Sequence, residues 1–432
     1  MPSAAPSAGL TRARLLVLAA LCAVSVANIY YAQPLLERIG ADLSIPTGQV
    51  GWVVAIGQAG YLVGLAALVP LGDWVNRRML IAAQLVMAGT GTAVVATSTS
   101  TIGLFAGIGI AGIFSVVVQI AVAYTAALSS PGERGRNIGF VTSGVVIGII
   151  MARTTAGLIA DLAGWRAVYA SSAVASLAMA VIAWTLLPDD ARRERPGSYG
   201  LAVASFVALG ATNRLFRTRA AIAFFLFASF GVLWSGLTLP LSSAPWHLST
   251  AQIGLFGFAG LAGTLGAARA GRWADRGKAT PVTVLALALL IASWWFTGQA
   301  RHSLWMVAVG VVLLDFAVQA VHVTNQNLIV AETPEFSSRI IGSYMICYSL
   351  GSALGAVTTA ALYERAGWPA AATLGACYAA AALSAWALDR VAPKMSRRVI
   401  SRMAGSPLCR SQATAACVRR SVRYRLRLRR RA

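Results

Sequence analysis

The sequence predicts an all-α membrane protein of twelve transmembrane helices, arranged as two similar six-helix bundles. Of its 432 residues, 57% are hydrophobic and only 12% are charged, whereas soluble domains contain roughly 25% charged residues. Long apolar runs follow one another along the chain, and several residues of the first half recur at a fixed offset in the second. The composition therefore excludes a soluble globular domain and makes lipid the main surroundings of the chain.

Twelve apolar runs reach the length of about 20 residues that a helix needs to cross the hydrocarbon core. Strands are excluded because lipid cannot satisfy open backbone groups, and the runs lack the alternation of a membrane barrel. The first run follows Arg12 and Arg14 but has no clear small-residue cleavage site, so we interpret it as a span rather than a signal peptide. Spans 1 to 12 are predicted at residues 15–36, 50–70, 79–97, 101–127, 138–160, 165–187, 220–241, 251–270, 281–298, 303–331, 340–362 and 368–389.

Basic residues are distributed unevenly over the two sides of these spans. If the N-terminus is cytoplasmic, 31 of the 36 Lys and Arg residues lie on the cytoplasmic side, and Arg38, Arg166, Arg301 and Arg365 lie outside. This asymmetry follows the positive-inside rule. We therefore expect both termini in the cytoplasm and the protein in the bacterial inner membrane, with Arg153 as the one basic residue inside a span.

The net charge of +22 comes mainly from a C-terminal tail, residues 391–432, which contains thirteen Lys and Arg and no acidic residue. One interpretation is a nucleic-acid-binding segment. Beside anionic lipid, however, each basic residue near the surface contributes about 1 kcal/mol to membrane association. We expect a disordered tail on the lipid bilayer and no nucleic-acid partner.

The predicted domains follow from the spans and from a charged break at residues 188–196. A modestly apolar stretch at 198–215 could be a thirteenth span, but it is short and contains Arg214, so an amphipathic helix on the cytoplasmic surface is favoured. The predicted domains are a cytoplasmic N-terminus (1–14), an N-terminal bundle (15–187), a cytoplasmic linker with an amphipathic helix (188–219), a C-terminal bundle (220–390) and the Arg-rich tail (391–432).

The two halves repeat each other at an offset near 203 residues. Pro131, Arg136, Gly139, Gly148, Gly164 and Trp165 recur as Pro334, Arg339, Gly342, Gly351, Gly367 and Trp368, and Asp73 recurs as Asp275. A repeat of six helices is what a rocking two-bundle transporter requires, because substrate can then be held near the midplane between the bundles.

Two loops carry matching charged motifs, one from Pro70 to Arg78 and one from Gly271 to Lys278. Both resemble the signature loop of the major facilitator superfamily. The resemblance implies a cytoplasmic gate, whereas the alternative is that these charges only enforce topology. The gate residues that the resemblance implies are Asp73, Arg77, Arg78, Asp275, Arg276 and Lys278.

Span 5 contains Gly139, Gly148 and Gly157, a spacing similar to the glycine-rich antiporter motif of the same superfamily. Residues 28–36, 115–164 and 315–326 are similar to its bacterial branch of drug and proton antiporters, and the overall resemblance covers roughly residues 15–390. Where the motif has Gly-Pro, this chain has Ala152-Arg153. Arg153 is interpreted as a counter-ion to an acidic group or an anionic substrate, or as a cation buried against backbone carbonyls.

Ionisable groups inside lipid cost at least ~2.5 to 3.5 kcal/mol each, so Asp315, His322 and Arg153 need partners, water or a function. On span 10, Asp315, Gln319, His322 and Gln326 lie four, three and four residues apart, which places them on one face of the helix. We expect this face to line the cavity and Asp315, His322 and Arg153 to take part in proton coupling. The alternative is that these groups only hydrogen-bond across helices.

Further cavity residues are expected on spans 1, 4, 7 and 11, and in this superfamily helices 1, 4, 7 and 10 line the cavity. Aromatic faces with a few amides suit amphiphilic compounds. Span 1 carries Asn28, Tyr30, Tyr31 and Gln33. The predicted cavity set is Asn28, Tyr31, Gln33, Gln119, Trp234, Gln319, Gln326, Tyr344 and Tyr348.

The expected function is secondary transport, specifically proton-coupled efflux of a small amphiphilic compound by a monomer. Import of a metabolite remains an alternative, because the coupled gradient cannot be seen in the helices. A membrane sensor or an enzyme of lipid-linked substrates is disfavoured, since the three histidines are scattered and no catalytic cluster is visible. The five cysteines lack metal-ligand spacing, so neither a disulfide, a metal nor a cofactor is expected.

Overall fold

The computed structural model describes residues 10–72, 74–130, 132–189, 213–332 and 337–404, without the side chains of 264–272, 274, 275, 332, 337–339 and 391–404. Contacts between Cα atoms divide the chain into two units, residues 1–383 and 384–432. The first unit contains both predicted bundles except for the last residues of span 12. The predicted linker helix at 198–215 lies mostly outside the described residues.

All regular secondary structure of the described residues is helical, which confirms the predicted all-α class. Before residue 190 the helices are Arg12–Tyr30 and Ala32–Asp42 (span 1), Gly51–Leu71 (span 2), Arg77–Thr97 (span 3), Thr101–Phe114 and Val117–Leu128 (span 4), Arg134–Ala163 (span 5) and Trp165–Leu186 (span 6). After residue 213 they are Arg214–Gly236 and Thr238–Ser242 (span 7), Thr250–Gly254 and Phe256–Trp273 (span 8), Ala279–Thr297 (span 9), Leu304–Glu332 (span 10) and Ser337–Ala404 (spans 11 and 12).

Ten helices in the described part of the chain are long and apolar enough to cross a membrane. One of them, Ile340–Arg390, has 51 residues, more than twice the roughly 20 that a crossing needs. Gly367 interrupts it with a φ of 71°. A further apolar helix, Thr250–Gly263, is shorter. The chain is therefore a multi-pass membrane protein.

Proline breaks the first helix of each half at matching places. Pro34 has no N–H to donate to the carbonyl of Tyr30, and the helix of span 1 ends at Tyr30 and restarts at Ala32. Pro240 likewise leaves the carbonyl of Gly236 without its intrahelical donor, and the helix of span 7 breaks there. Both breaks follow from the missing donor of proline four residues further on.

Glycine joins spans 5 and 6 and spans 11 and 12. Gly164 separates its two helices with φ 84° and ψ 164°, and Gly367 interrupts the other pair with φ 71° and ψ −171°. Residues with a side chain rarely adopt such positive φ angles, so both positions favour glycine. The tryptophans that follow are both buried: Trp165 donates its indole N–H to Asp42 at 3.2 Å, and Trp368 donates to the carbonyl of Thr297 at 2.8 Å. The sequence repeat is thus also a repeat of backbone geometry.

A second matched pair brings helices into close contact within each half. A Cβ on Gly148 of span 5 would collide with the backbone of Ala23 on span 1. A Cβ on Gly351 of span 11 would collide with the backbone of Phe224 on span 7. Small residues permit such close approach of helices in a membrane.

The two halves are in contact at one end of the molecule, which contains residues 43–50, Gly164 and 243–249. We call it the outer end, because the sequence predicts that it faces outside. Ala356 and Ala360 of span 11 belong to the same buried cluster as Leu35 and Val53. Backbone contacts between Gly157 and residues 250–251 join spans 5 and 8. The outer end is therefore closed across the halves.

Candidate functional site

A cavity of about 170 Å³ lies between the two halves. Residues of spans 1, 2, 4 and 5 line it on one side, and residues of spans 7, 8, 10 and 11 line it on the other. Most of the wall is aliphatic or aromatic. Its polar residues are Tyr30, Tyr61, Gln119, Arg153, Asp315, Gln319, His322 and Tyr348.

Arg153 lies in this wall and is buried, with 3% of its surface exposed. Its Nε and Nη2 both donate to Oε1 of Gln33, at 3.2 and 3.1 Å. Its guanidinium stacks on the ring of Trp234 at 3.4 Å from the ring centre, with Tyr30 and Phe230 at 5.4 and 5.7 Å. Cation–π attraction and the amide oxygen thus hold the cation in place.

Asp315 is the buried carboxylate of the same wall, with 5% of its surface exposed. Its Oδ1 accepts the indole N–H of Trp234 at 3.1 Å. A Cβ on Gly260 of span 8 would lie 2.1 Å from its Oδ2, so a side chain at that position would displace the carboxylate. Among the described residues Asp315 and Arg153 form no direct ion pair within 4 Å; Trp234 connects them, stacking on one and donating to the other.

His322 lies further along span 10 and faces aromatic rings. The amide nitrogen of Gln326 lies 3.2 Å from its Nε2, and the Tyr344 hydroxyl lies 3.1 Å from its Nδ1. Phe227 and Tyr348 have ring centres 5.1 and 6.2 Å from the imidazole. His322 is therefore a hydrogen-bonded member of an aromatic cluster.

Three tyrosines form two hydrogen-bonded pairs in the cavity wall, and one of these pairs joins the two halves. The hydroxyls of Tyr30 on span 1 and Tyr348 on span 11 are 2.6 Å apart. Tyr61 of span 2 accepts from Nε2 of Gln119 on span 4 at 2.8 Å. Both pairs line the cavity. Their hydroxyls and amide offer sparse directional bonding in an otherwise apolar wall.

Two predicted cavity residues, Asn28 and Tyr31, lie away from the cavity wall. Asn28 is buried against span 6, where it accepts from Ser172 and donates to Ser176 at 3.4 Å. Tyr31 packs edge-on against Tyr169, with ring centres 6.4 Å apart. Tyr30, one residue earlier, lines the cavity instead.

The remaining predicted residues are grouped around the cavity in two ways. Gln119, Gln319 and Tyr348 are part of its lining. The others, Gln33, Trp234, Gln326 and Tyr344, contact a lining residue instead.

Sequence reasoning missed Tyr61, Phe227 and Phe230 among the lining residues. A signal for the last two was present, since Phe227, Phe230 and Trp234 lie three and four residues apart and so share one helix face. Tyr61 had no comparable signal, because single aromatics in a span are common in ordinary packing.

The motif loop between spans 2 and 3 is attached to span 6. Arg78 pairs with Asp189 at 2.9 Å, donates to the carbonyl of Leu187 at 3.2 Å and lies 4.9 Å from the ring of Trp184. Arg77, its neighbour, is buried. Asp189, Leu187 and Trp184 all belong to the same half of the chain as Arg78, so gating between the halves by this loop stays a prediction.

The second motif loop is described only in part. Asp73 of the first loop and the side chain of Asp275 lie outside the described residues. Arg276 and Lys278 are exposed at the end of span 8. Gly277 between them has a φ of 81°, which gives the tight turn into span 9.

At the outer end Asp161 of span 5 joins three elements. It pairs with Arg38 of span 1 at 2.5 Å, and its other oxygen accepts the backbone N–H of Ala251 at 2.9 Å. Ala251 lies in the first turn of span 8, where backbone donors have no intrahelical partner and a negative charge is favourable. Asp161 therefore links the two halves outside the cavity.

Within the described residues, no three His, Cys, Asp or Glu side chains come together in a group that could hold a metal ion. The cavity chemistry is thus that of one carboxylate, one guanidinium, one imidazole and neutral hydroxyls and amides within aromatic walls.

The chain matches a known family model and known transporters over most of its length. The model described as "Major Facilitator Superfamily" matches residues 15–300 and 236–428. The chain is 37% identical to the uncharacterized transporter YgaY of Escherichia coli O157:H7, over 88% of this chain and 96% of that protein. It is 32% identical to the probable transporter SCO4007 of Streptomyces coelicolor, over 85% of each chain.

Solved transporter structures share the fold at low sequence identity. The nucleoside transporter NupG has a TM-score of 0.70 at 14% identity, covering 87% of this chain and 99% of NupG. The inward open xylose transporter XylE from E. coli has a TM-score of 0.63 at 15% identity, covering 87% and 95%. These structures support the predicted transporter fold, and the family model and the relatives confirm the expectation of a transporter rather than an enzyme. The chain belongs to the Major Facilitator Superfamily of membrane transporters.

Proposed function

We propose that this protein exports small amphiphilic compounds from the bacterial cytoplasm in exchange for protons, by alternating access of one central cavity. The observation that carries the proposal is Asp315, a buried carboxylate in the wall of a cavity shared by both halves. Alternation between a state that is open to the cytoplasm and a state that is open to the outside would expose this one carboxylate to each side in turn.

The proposal includes twelve spans in two bundles of six. Ten candidate spans are present in the described residues, and one of them is long enough for two crossings joined at Gly367. The helices Thr250–Gly254 and Phe256–Trp273 together have the length of one more crossing. The ten candidate spans, with the long one counted as two crossings, and this additional helix pair give twelve crossings. The equivalent joints at Gly164 and Gly367 support a division into two bundles.

Proton coupling is inferred from the cost of a buried carboxylate. Burying an isolated charge in a low-dielectric wall is unfavourable, so a carboxylate there exchanges protons readily when water reaches it. A substrate that occupies the cavity beside Asp315 excludes that water. Competition between proton and substrate for one space is the physical basis of antiport. Efflux as the direction rests on the resemblance of residues 315–326 and of span 5 to antiporters.

The substrate class is inferred from the lining. Aromatic and aliphatic side chains provide most of the contact area, and the tyrosine hydroxyls and the amides of Gln119 and Gln319 provide a few directional bonds. Such a site suits a molecule with an apolar ring system and one or two polar groups.

The test is transport in proteoliposomes with an acidic interior, using a panel of fluorescent aromatic probes such as ethidium. We expect wild-type protein to accumulate a probe inside as protons leave. Asp315→Asn should lose this gradient-driven accumulation but keep exchange of probe for probe, which needs no proton. Asp42→Asn, which removes an exposed outer-end carboxylate, is the matched control and should behave as wild type.

Two results would contradict the proposal. Unchanged gradient-driven accumulation in Asp315→Asn would remove Asp315 from coupling. Accumulation only when the exterior is acidic would show that proton and probe move together, as in import.

A further inference from the structure

Three cavities follow one another from the centre of the protein to its outer end. The central cavity shares Arg153 with a small cavity of about 10 Å³. This small cavity shares Pro34, Thr238 and Ile253 with an outer cavity of about 100 Å³, whose wall includes Glu37 and Arg38. Glu37 is exposed at the outer end. The closed outer end therefore contains neighbouring spaces with shared wall residues beside its buried hydrophobic cluster.

Polar groups in these walls indicate that the spaces hold water. Thr238 is 3% exposed, and its Oγ1 has no hydrogen-bond partner among the described residues. The small cavity has room for about one water molecule, and Thr238, Gln33 and Arg153 surround it. A buried hydroxyl without a partner is costly, and one bound water would satisfy it.

Arg153 occupies the junction between this polar route and the central cavity. It lines both the central and the small cavity. Two hydrogen bonds to Gln33 and the stack on Trp234 hold it there. No carboxylate of the described residues lies within ion-pair distance of its guanidinium: neutral groups contact it directly, and the carboxylate of Asp315 lies beyond Trp234 in the wall of the central cavity.

We propose that Arg153 is an electrostatic barrier that keeps protons in the outer cavities from reaching the central cavity while the outer end is closed. A fixed cation in a narrow, weakly screened passage repels hydronium but lets water stay. The barrier is needed because a hydrated route past the closed end would otherwise let protons cross without substrate. This inference rests on the proposed proton coupling, since it explains how the coupled gradient is preserved.

The test is passive proton entry into proteoliposomes without any substrate. Full-length protein is reconstituted with the pH-sensitive dye pyranine inside, and potassium with valinomycin sets an inside-negative potential. We expect wild type to match protein-free vesicles. Arg153→Met should admit protons at least about tenfold faster, because the charge is lost while an apolar side chain of similar length remains.

Three further variants separate the charge from packing. Arg153→Lys keeps a cation and should stay near the wild-type rate. Thr238→Val in the Arg153→Met background removes the hydroxyl that holds water and should lower the leak towards wild type. If Arg153→Met does not fold, as judged by gel filtration, Gln33→Leu replaces it. In this variant Arg153 loses its two hydrogen bonds, and we expect the vesicles to admit protons faster than with wild type.

Either of two outcomes overturns the inference. One is a rate in Arg153→Met, or in Gln33→Leu as its substitute, that equals wild type. The other is an equal leak in Arg153→Lys and Arg153→Met. The leak assay contains no substrate, so its failure is distinguishable from failure of the exchange assay on Asp315→Asn, which measures substrate accumulation.

Discussion

The position of Asp315 depends on the lack of a side chain at Gly260 in the neighbouring helix. One carboxylate oxygen lies 2.1 Å from the place that a Cβ on Gly260 would take, and the indole N–H of Trp234 binds the other oxygen. The geometry of the candidate coupling group is therefore shared by spans 7, 8 and 10, although the group itself belongs to span 10.

Gly260→Ala is expected to reduce gradient-driven transport by at least about tenfold, because the new methyl group forces the carboxylate off Trp234. Gly257→Ala is the matched control: it lies one turn away on the same helix, and its Cβ would meet neighbours only at ordinary distances of 3.5 Å or more. The measurement is probe accumulation in proteoliposomes at equal protein content. Equal loss in both variants would contradict a specific role for Gly260.

At residue scale the helical period relates the polar residues of span 10. Asp315, Gln319 and His322 share the lining, because residues three and four apart share a helix face, whereas Gln326 of the predicted face contacts His322 and is not part of the lining. Span 1 shows where the same reasoning stops. Adjacent residues on a helix point about 100° apart, so choosing Tyr31 rather than Tyr30 selects another face. Only the rotation of the helix in its bundle decides between them, and distant contacts set that rotation.

At the scale of helices, the outer end is held by a link that lies off the substrate route. Asp161 of span 5 bonds to Arg38 of its own half and to the first turn of span 8 in the other half. In the proposed alternating access, opening the outer end separates span 5 from span 8 and breaks the bond to Ala251. We therefore expect Asp161 to stabilise the closed state.

Asp161→Ala is expected to increase the fraction of molecules open at the outer end about fivefold, as follows from the loss of about 1 kcal/mol of polar interaction. Spin labels at Thr47→Cys and His302→Cys, both exposed at the outer end, would report a longer distance population by electron–electron double resonance. Asp42→Ala is the control, because the hydrogen bonds of Asp42 to Trp165 and Arg166 stay within one half. An unchanged distance distribution in Asp161→Ala would refute the role of this link.

The presence of each helix could be predicted from the sequence, but the residues at which helices begin and end could be predicted less accurately. Hydrophobicity alone locates span 5 at 138–160, whereas the helix runs Arg134–Ala163. The helix continues past the lipid because no residue before Gly164 breaks it. Glycine and proline positions carry information of another kind: Pro34, Pro240, Gly164 and Gly367 determine where helices bend or end, through the missing N–H of proline and the positive φ of glycine.

At the scale of the whole molecule, the distribution of basic residues predicts which end faces the cytoplasm. Labelling with a membrane-impermeant maleimide in intact bacteria tests it, in a variant without native cysteines. Thr47→Cys at the outer end should react. Glu133→Cys, exposed at the opposite end, should react only after permeabilisation. The reverse pattern would invert the orientation and with it the assignment of efflux.

The fold was predictable from composition, run length and the repeat, because lipid leaves helices as the available solution for spans of this type. The cavity was only partly predictable. Its chemistry comes from rare intramembrane charges, which the sequence shows directly. Its shape comes from which faces of eight helices meet, and residues such as Tyr61 and Phe227 enter the lining through that packing alone.

The glycine joints at Gly164 and Gly367 have a mechanical consequence. A connection of a single residue has no slack, so a displacement of the end of span 5 carries the adjoining end of span 6 with it, and the same holds for spans 11 and 12. The two helices of each pair are then displaced together at the outer end. A displacement of span 5 or span 11 near the cavity thereby also moves the lipid-facing surface of its partner helix. The thickness and lateral pressure of the surrounding bilayer would therefore act on the same equilibrium that opens and closes the transport route.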